Sequence, residues 1–67
     1  MIKLETMVEL SKKILTKVSF DPLLFQKELM KALRWITDRD DVRKLKEWCH
    51  LEFGKKYPSI LAQAFAG

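Results

Sequence analysis

The segment Phe20–Asp38 constrains the fold most, because FDPLLFQKELMKALRWITD combines clear helix-start signals with apolar residues on three sides. Asp21 is a suitable N-cap, since its carboxylate can accept a hydrogen bond from a first-turn amide, and Pro22 suits the first helical position. Phe20 and Phe25 occupy the two positions of a hydrophobic staple. The segment therefore predicts a helix that begins at Pro22 and needs neighbours on three sides, which suits the middle of the fold.

This helix, expected over about residues 22–37, presents three kinds of surface. Its core face has helical spacing and consists of Phe25, Leu29, Ala32, Leu33 and Ile36. A narrow basic strip consists of Lys27, Lys31 and Arg34. Leu24 and Trp35 lie on the back edge of the helix, where a peripheral helix would carry polar residues. Packing against the core does not account for these two apolar residues, so the back edge is the part of the helix that could have another role.

Three further helices are predicted, over about residues 3–18, 40–53 and 58–66. Two glycines and two prolines in 67 residues give little support to hairpins, whereas Leu, Lys, Glu and Ala are good helix formers. Gly54 is expected to end the third helix in a left-handed conformation. The uncharged last segment is expected to dock, because so short a helix is marginal alone. We therefore expect one all-α domain, residues 1–67, of three main helices plus a short C-terminal helix.

The formal net charge of +4 gives a weak indication of the partner, because the Lys and Arg residues are spread along the chain. The N-terminus has charges within its apolar pattern and does not resemble a signal peptide. The longest uncharged run, Tyr57–Gly67, is too short to span a bilayer. The single cysteine, Cys49, cannot form an internal disulfide. A cytoplasmic location without membrane insertion is the expectation.

No motif in the sequence predicts catalysis or assigns the chain to a family. Cys49 and His50 are adjacent, so on a helix their side chains diverge by about 100° and do not face each other as nucleophile and base. His50 lacks partners for a metal site. The carboxylates Asp38, Asp40 and Asp41 lack calcium-loop spacing and are better explained as helix caps. We expect no catalytic, cofactor-binding or metal-binding residues and no small-molecule substrate.

Surplus apolar surface favours a protein-interaction or regulatory module. Leu24 and Trp35 on the second helix, and Trp48 and Leu51 on the third, exceed what one neighbouring helix can cover. Large exposed apolar side chains, aromatic ones especially, are typical of interfaces. These four residues are therefore predicted to form an interface, in a homodimer or with another protein.

Two alternatives remain. A nucleic-acid-binding domain would use Lys27, Lys31, Arg34, Lys55 and Lys56. The second and third helices have the outline of a helix-turn-helix, although the aspartates that begin the third helix would repel phosphates. The second alternative is an accessory subunit that folds fully only on a larger partner, and it predicts a mobile C-terminal segment.

Overall fold

A computed structural model describes residues 6–66, and within them the regular secondary structure is all α-helix. The elements are α1 (Met7–Lys17), α2 (Pro22–Trp35), α3 (Arg39–Phe53) and α4 (Pro58–Ala64). The predicted class, three main helices followed by a short one, is confirmed. The part of the first predicted helix at residues 3–5 lies outside the described residues. Each of the four helices is too short or too polar to cross a membrane.

The predicted N-caps of α2 and α3 are present. The Asp21 carboxylate accepts hydrogen bonds from the amides of Leu23, at 2.9 Å, and Leu24, at 3.3 Å. The Asp38 carboxylate accepts one from the amide of Asp40 at 2.8 Å. The predicted hydrophobic staple is wrong, because Phe20 is 74% exposed and so does not cover the buried Phe25. The polar cap and the proline define the start of α2 without it.

α1 ends at Lys17 and α4 at Ala64, one and two residues before their predicted ends, and two further differences concern the end of α2 and the conformation of Gly54. α2 ends at Trp35 because Ile36 is extended, with φ −85° and ψ 111°, which turns its side chain into the core. The following Thr37 is also β-branched and a weak helix former. Gly54 is right-handed, with φ −59° and ψ −34°, so the predicted left-handed cap is wrong. Glycine instead fits because a Cβ at this position would collide with the His50 carbonyl oxygen.

The four helices surround one core. α1 packs against both α2 and α3, and α4 packs against the same two helices. The buried apolar residues are Val8, Leu15, Phe25, Leu29, Ala32, Ile36, Leu45, Cys49, Phe53 and Leu61. At its centre the Phe25 ring lies 4.8 Å from the rings of both Phe53 and Tyr57. The Tyr57 hydroxyl donates a hydrogen bond of 2.5 Å to the Ser19 carbonyl oxygen. This bond joins the α3–α4 connection to the α1–α2 corner.

α4 is docked as predicted, whereas α2 is less buried than predicted. Leu61 of α4 is fully buried, so the C-terminal segment is docked on the core. On α2, however, Leu23 is 77% exposed, Met30 45% and Trp35 67%. The expectation that α2 is covered on three sides is therefore wrong. The backbones of α1 and the short α4 lie close to α2, and Phe53 of α3 packs against Phe25 on its core face.

Candidate functional site

An apolar groove lies between α1 and α2, and we call it the α1–α2 groove. Its volume is about 310 Å³. It is lined by Met7, Leu10, Ser11 and Ile14 of α1 and by Glu28, Lys31, Ala32 and Trp35 of α2. Almost all of the accessible lining is carbon, so the groove presents a hydrophobic strip along the two helices.

The sequence forms this groove by placing small residues in its floor and large ones at its rim. Ser11 and Ala32, only 4% and 8% exposed, carry short side chains where the two helices meet. Met7 and Leu10 are each 40% exposed, and Trp35 is 67% exposed. Since Ser11 and Ala32 do not fill the space between the helices, the larger side chains rise above a shallow trough.

Two of the four predicted interface residues share one face of α2. Leu24 is 39% exposed and lies eleven positions before Trp35, which is about three helical turns. Glu28 and Lys31 lie between them on the same side of the helix. We call Leu24, Glu28, Lys31 and Trp35 the α2 stripe. Its last three members line the α1–α2 groove, and Leu24 continues the stripe beyond the end of that groove.

The other two predicted interface residues lie in a separate groove between α1 and α3, which we call the α1–α3 groove. Trp48 is half-buried there, with its ring 5.4 Å from the Phe53 ring and the Lys12 ammonium 5.8 Å from its centre. Leu51 is 84% exposed. The lining also includes five ionisable residues: Glu9, Lys12, Asp41, Lys44 and Glu47. The four predicted residues are thus divided between the α2 stripe and the α1–α3 groove.

The basic residues of the nucleic-acid alternative are divided in a similar way. Lys27, Lys31 and Arg34 line one open surface of α2 together with Met30 and Trp35. Lys55 and Lys56 lie in the α3–α4 connection, where the Lys56 ammonium is 5.4 Å from the Tyr57 ring. The Tyr57 hydrogen bond to Ser19 fixes that connection near the start of α2, whereas Arg34 lies near its end. The five residues therefore do not line one surface.

The Cys49–His50 pair has the arrangement predicted for adjacent helical residues. Cys49 is fully buried, and burial raises the pKa of its thiol from 9.0 to about 12, although the Lys12 ammonium lowers it. His50 is exposed, with its ring 6.2 Å from that of Phe65. Within residues 6–66, no group of three or more His, Cys, Asp and Glu side chains is placed to hold a metal ion. The acidic start of α3 caps that helix, and Asp40 pairs with Arg43 at 3.5 Å.

Sequence reasoning missed the contribution of α1 to the site. Helical spacing alone places Met7, Leu10 and Ile14 on the apolar side of α1 together with Val8 and Leu15, and so predicts that all five pack against the core. A signal for the difference was present in their spacing, because Met7, Leu10 and Ile14 form a stripe of their own, rotated away from the one formed by Val8 and Leu15.

Comparison with protein-family models, curated proteins and solved structures gives no match, so inferences about function rest on the chain's own residues.

Proposed function

We propose that the protein is a non-catalytic protein-interaction module that binds another protein chain through the α1–α2 groove. The observation that carries the proposal is Trp35, a tryptophan 67% exposed at the rim of an apolar groove. Leaving so much aromatic surface in water is unfavourable, and interfaces are enriched in aromatic residues at their centres.

The shape of the site suits a helix better than a small molecule. The groove is open and runs between two helices, and its lining includes only two ionisable side chains, Glu28 and Lys31. Small-molecule sites enclose most of their ligand and place several polar groups around it. A shallow apolar strip with charges at its edge is instead typical of grooves that accept the apolar face of an amphipathic helix.

A cytoplasmic location is part of this proposal. It is supported by Cys49, which is unpaired and buried in the core, since unpaired cysteines are usual in reducing compartments. The location can be checked by fractionation of the cells that produce the protein.

The test is site-specific photocrosslinking in those cells. A photoreactive amino acid replaces Trp35 in one variant and Leu51, which is exposed in the α1–α3 groove, in another. Position 35 is expected to give a discrete crosslinked protein product, which mass spectrometry identifies. Adding Leu10→Glu, which places a charge in the groove, should remove that product. The matched control is Leu23→Glu, since Leu23 is 77% exposed and lies outside the groove lining.

Two outcomes would contradict the proposal. One is the absence of any crosslinked product from position 35 when the protein is present at its normal level. The other is the same set of products from positions 35 and 51, unchanged by Leu10→Glu, since this would show indiscriminate contact. Circular dichroism of each variant establishes that it has kept its helical content.

A second candidate function, nucleic-acid binding, is supported by one observation. Trp35 shares a surface with the three cations Lys27, Lys31 and Arg34. Single-stranded nucleic acids bind where bases can stack on an aromatic ring beside basic side chains. Three cations predict a salt dependence with a slope of about −2 for single strands. Fluorescence anisotropy with labelled single-stranded and duplex oligonucleotides measures this slope, and affinity weaker than about millimolar without salt dependence rules the candidate out.

A further inference from the structure

We propose that the chain bound at the α1–α2 groove is a second copy of this protein, with the two α2 helices antiparallel about a two-fold axis. The inference rests on the proposed function, because it names the partner of the same groove. It depends on the order of residues in the α2 stripe and on the unpaired charges within it.

The stripe has the spacing of a helix–helix seam. Its members Leu24, Glu28, Lys31 and Trp35 are separated by four, three and four positions, which keeps them on one face over about 16 Å. Leu24 and Trp35, the apolar ends, are 39% and 67% exposed. The charged pair occupies the middle. A face with this arrangement presents apolar contacts at both ends and opposite charges between them.

The order of the stripe makes it complementary to itself. The midpoint between Leu24 and Trp35 is also the midpoint between Glu28 and Lys31. When two such helices pack antiparallel about that point, Leu24 faces the partner's Trp35 and Glu28 faces the partner's Lys31. A two-fold axis repeats both contacts, as the interface of a symmetric dimer requires. The interface then contains two apolar clusters and two ion pairs.

The charges select this orientation over the parallel one. In a parallel two-fold pair each residue faces its own copy, so Glu28 would face a glutamate and Lys31 a lysine. Like charges placed together across an interface are strongly unfavourable. Within the part of the chain that the structure describes, neither Glu28 nor Lys31 has an ion-pair partner closer than 4 Å. Both side chains are therefore available for a second copy.

α1 enlarges the contact. Its Met7, Leu10 and Ile14 side chains line the other wall of the groove, so a helix lying against the stripe also covers them. A stable dimer buries about 800 Å² on each partner. That is roughly 15% of this chain's 5295 Å² surface.

The experiment exchanges the charges and measures self-association by sedimentation equilibrium. The unmodified chain is expected to dimerise at micromolar concentration. Glu28→Lys places two lysines in the stripe, and Lys31→Glu places two glutamates there, so each variant alone should associate at least about tenfold more weakly. An equimolar mixture of the two variants should form a heterodimer within about threefold of the original affinity, because position 28 of each copy then faces an opposite charge at position 31 of the other. One of the two ion pairs is the original one, and the other has its signs exchanged.

Matched controls have the same charge changes elsewhere. Lys46→Glu and Glu52→Lys alter exposed residues of α3, outside the stripe, and should leave the dimer affinity within about twofold. Circular dichroism reports whether each variant folds. The double variant Glu28→Lys with Lys31→Glu, which keeps the stripe self-complementary, should dimerise like the original chain.

Different results overturn the two proposals. A dimer whose affinity is unaffected by the two stripe substitutions, or a mixture no tighter than the separate variants, overturns the antiparallel register. A chain that stays monomeric to about millimolar concentration overturns self-association altogether. In either case the proposed function survives if position 35 crosslinks to a different protein, and it fails with the inference if position 35 gives no specific product.

Discussion

The two tryptophans occupy similar positions in sequence terms and different environments in the structure. Each lies at the edge of the apolar face of an amphipathic helix, and each was predicted to contribute to an interface. Trp48 is half-buried, with the Phe53 ring at its edge and the Lys12 ammonium over its face. Trp35 is 67% exposed beside a groove that it only partly lines. The same position on a helical wheel therefore has two outcomes, and the neighbouring helix determines which one occurs.

The difference originates in α1, which lies between the two sites. The side of α1 that faces α3 carries Lys12, whose ammonium lies over the Trp48 ring at 5.8 Å from its centre. The side that faces α2 carries Ser11 in the floor of the α1–α2 groove, and this short side chain does not extend to Trp35. A long amphipathic side chain can cover an aromatic ring, and a short one cannot. The Trp35 ring is therefore left available to a partner, whereas the Trp48 ring is half-buried.

The largest expected contrast between the two sides is in thiol reactivity. Cys49 lies beneath the α3 side with its pKa raised to about 12, so at neutral pH its thiolate is about 1,000-fold scarcer than in the unfolded chain. Alkylation by iodoacetamide should slow by at least that factor on folding. A cysteine placed on the groove side, Leu10→Cys in a Cys49→Ala background, should react within about tenfold of an unfolded thiol.

Alkylation rates of the unmodified chain and of the Leu10→Cys, Cys49→Ala variant are measured at nanomolar concentration, where the proposed dimer is dissociated. The measurements are repeated in denaturant as a reference. Rapid alkylation of Cys49 in the folded chain would show that the α3 side opens as readily as the groove. Equal protection of the two positions would remove the contrast between them.

The next contrast is in stability. Trp48→Ala removes packing against Phe53 and Lys12 and should lower the free energy of unfolding by about 2 kcal/mol, less than for a fully buried tryptophan. Trp35→Ala should change it by no more than about 0.5 kcal/mol in the monomer, as for other exposed positions. Urea unfolding followed by circular dichroism at low protein concentration measures both. A Trp35→Ala loss as large as that of Trp48→Ala would mean that Trp35 belongs to the core.

Much of the fold was predictable because it depends on local chemistry. The caps at Asp21 and Asp38 are made by hydrogen bonds between neighbours in the chain, which sequence spacing reveals. The buried face of α2, which consists of Phe25, Leu29 and Ala32, follows from helical periodicity. The end of α2 at Trp35 and the right-handed Gly54 were missed, because both depend on where the chain must go next.

The candidate site was only partly predictable. Leu24 and Trp35 were identified because they are apolar on an edge of α2 that should be polar. The groove wall supplied by Met7 and Leu10 was missed, since a helical wheel shows which residues are apolar and does not show how far a neighbour covers them. The sequence could not show that Trp48 and Trp35 line different grooves, because the position of α1 between them is a tertiary feature.

The smallest expected contrast concerns the lysines beside the two rings. Lys12→Met keeps a long unbranched side chain at this position but removes the ammonium over the Trp48 ring, so it should cost about 0.5–1 kcal/mol of stability. It should also raise the pKa of Cys49 further, since the Lys12 charge is what lowers it. Lys31→Met, beside Trp35, should leave both the stability of the monomer and the reactivity of Cys49 unchanged. Urea unfolding and alkylation rates between pH 8 and pH 10 measure these effects. Equal changes in stability and alkylation rate for Lys12→Met and Lys31→Met would mean that Lys12 does not hold Trp48 in its half-buried position. The exposure of Trp35 would then need a cause other than the short side chain of Ser11.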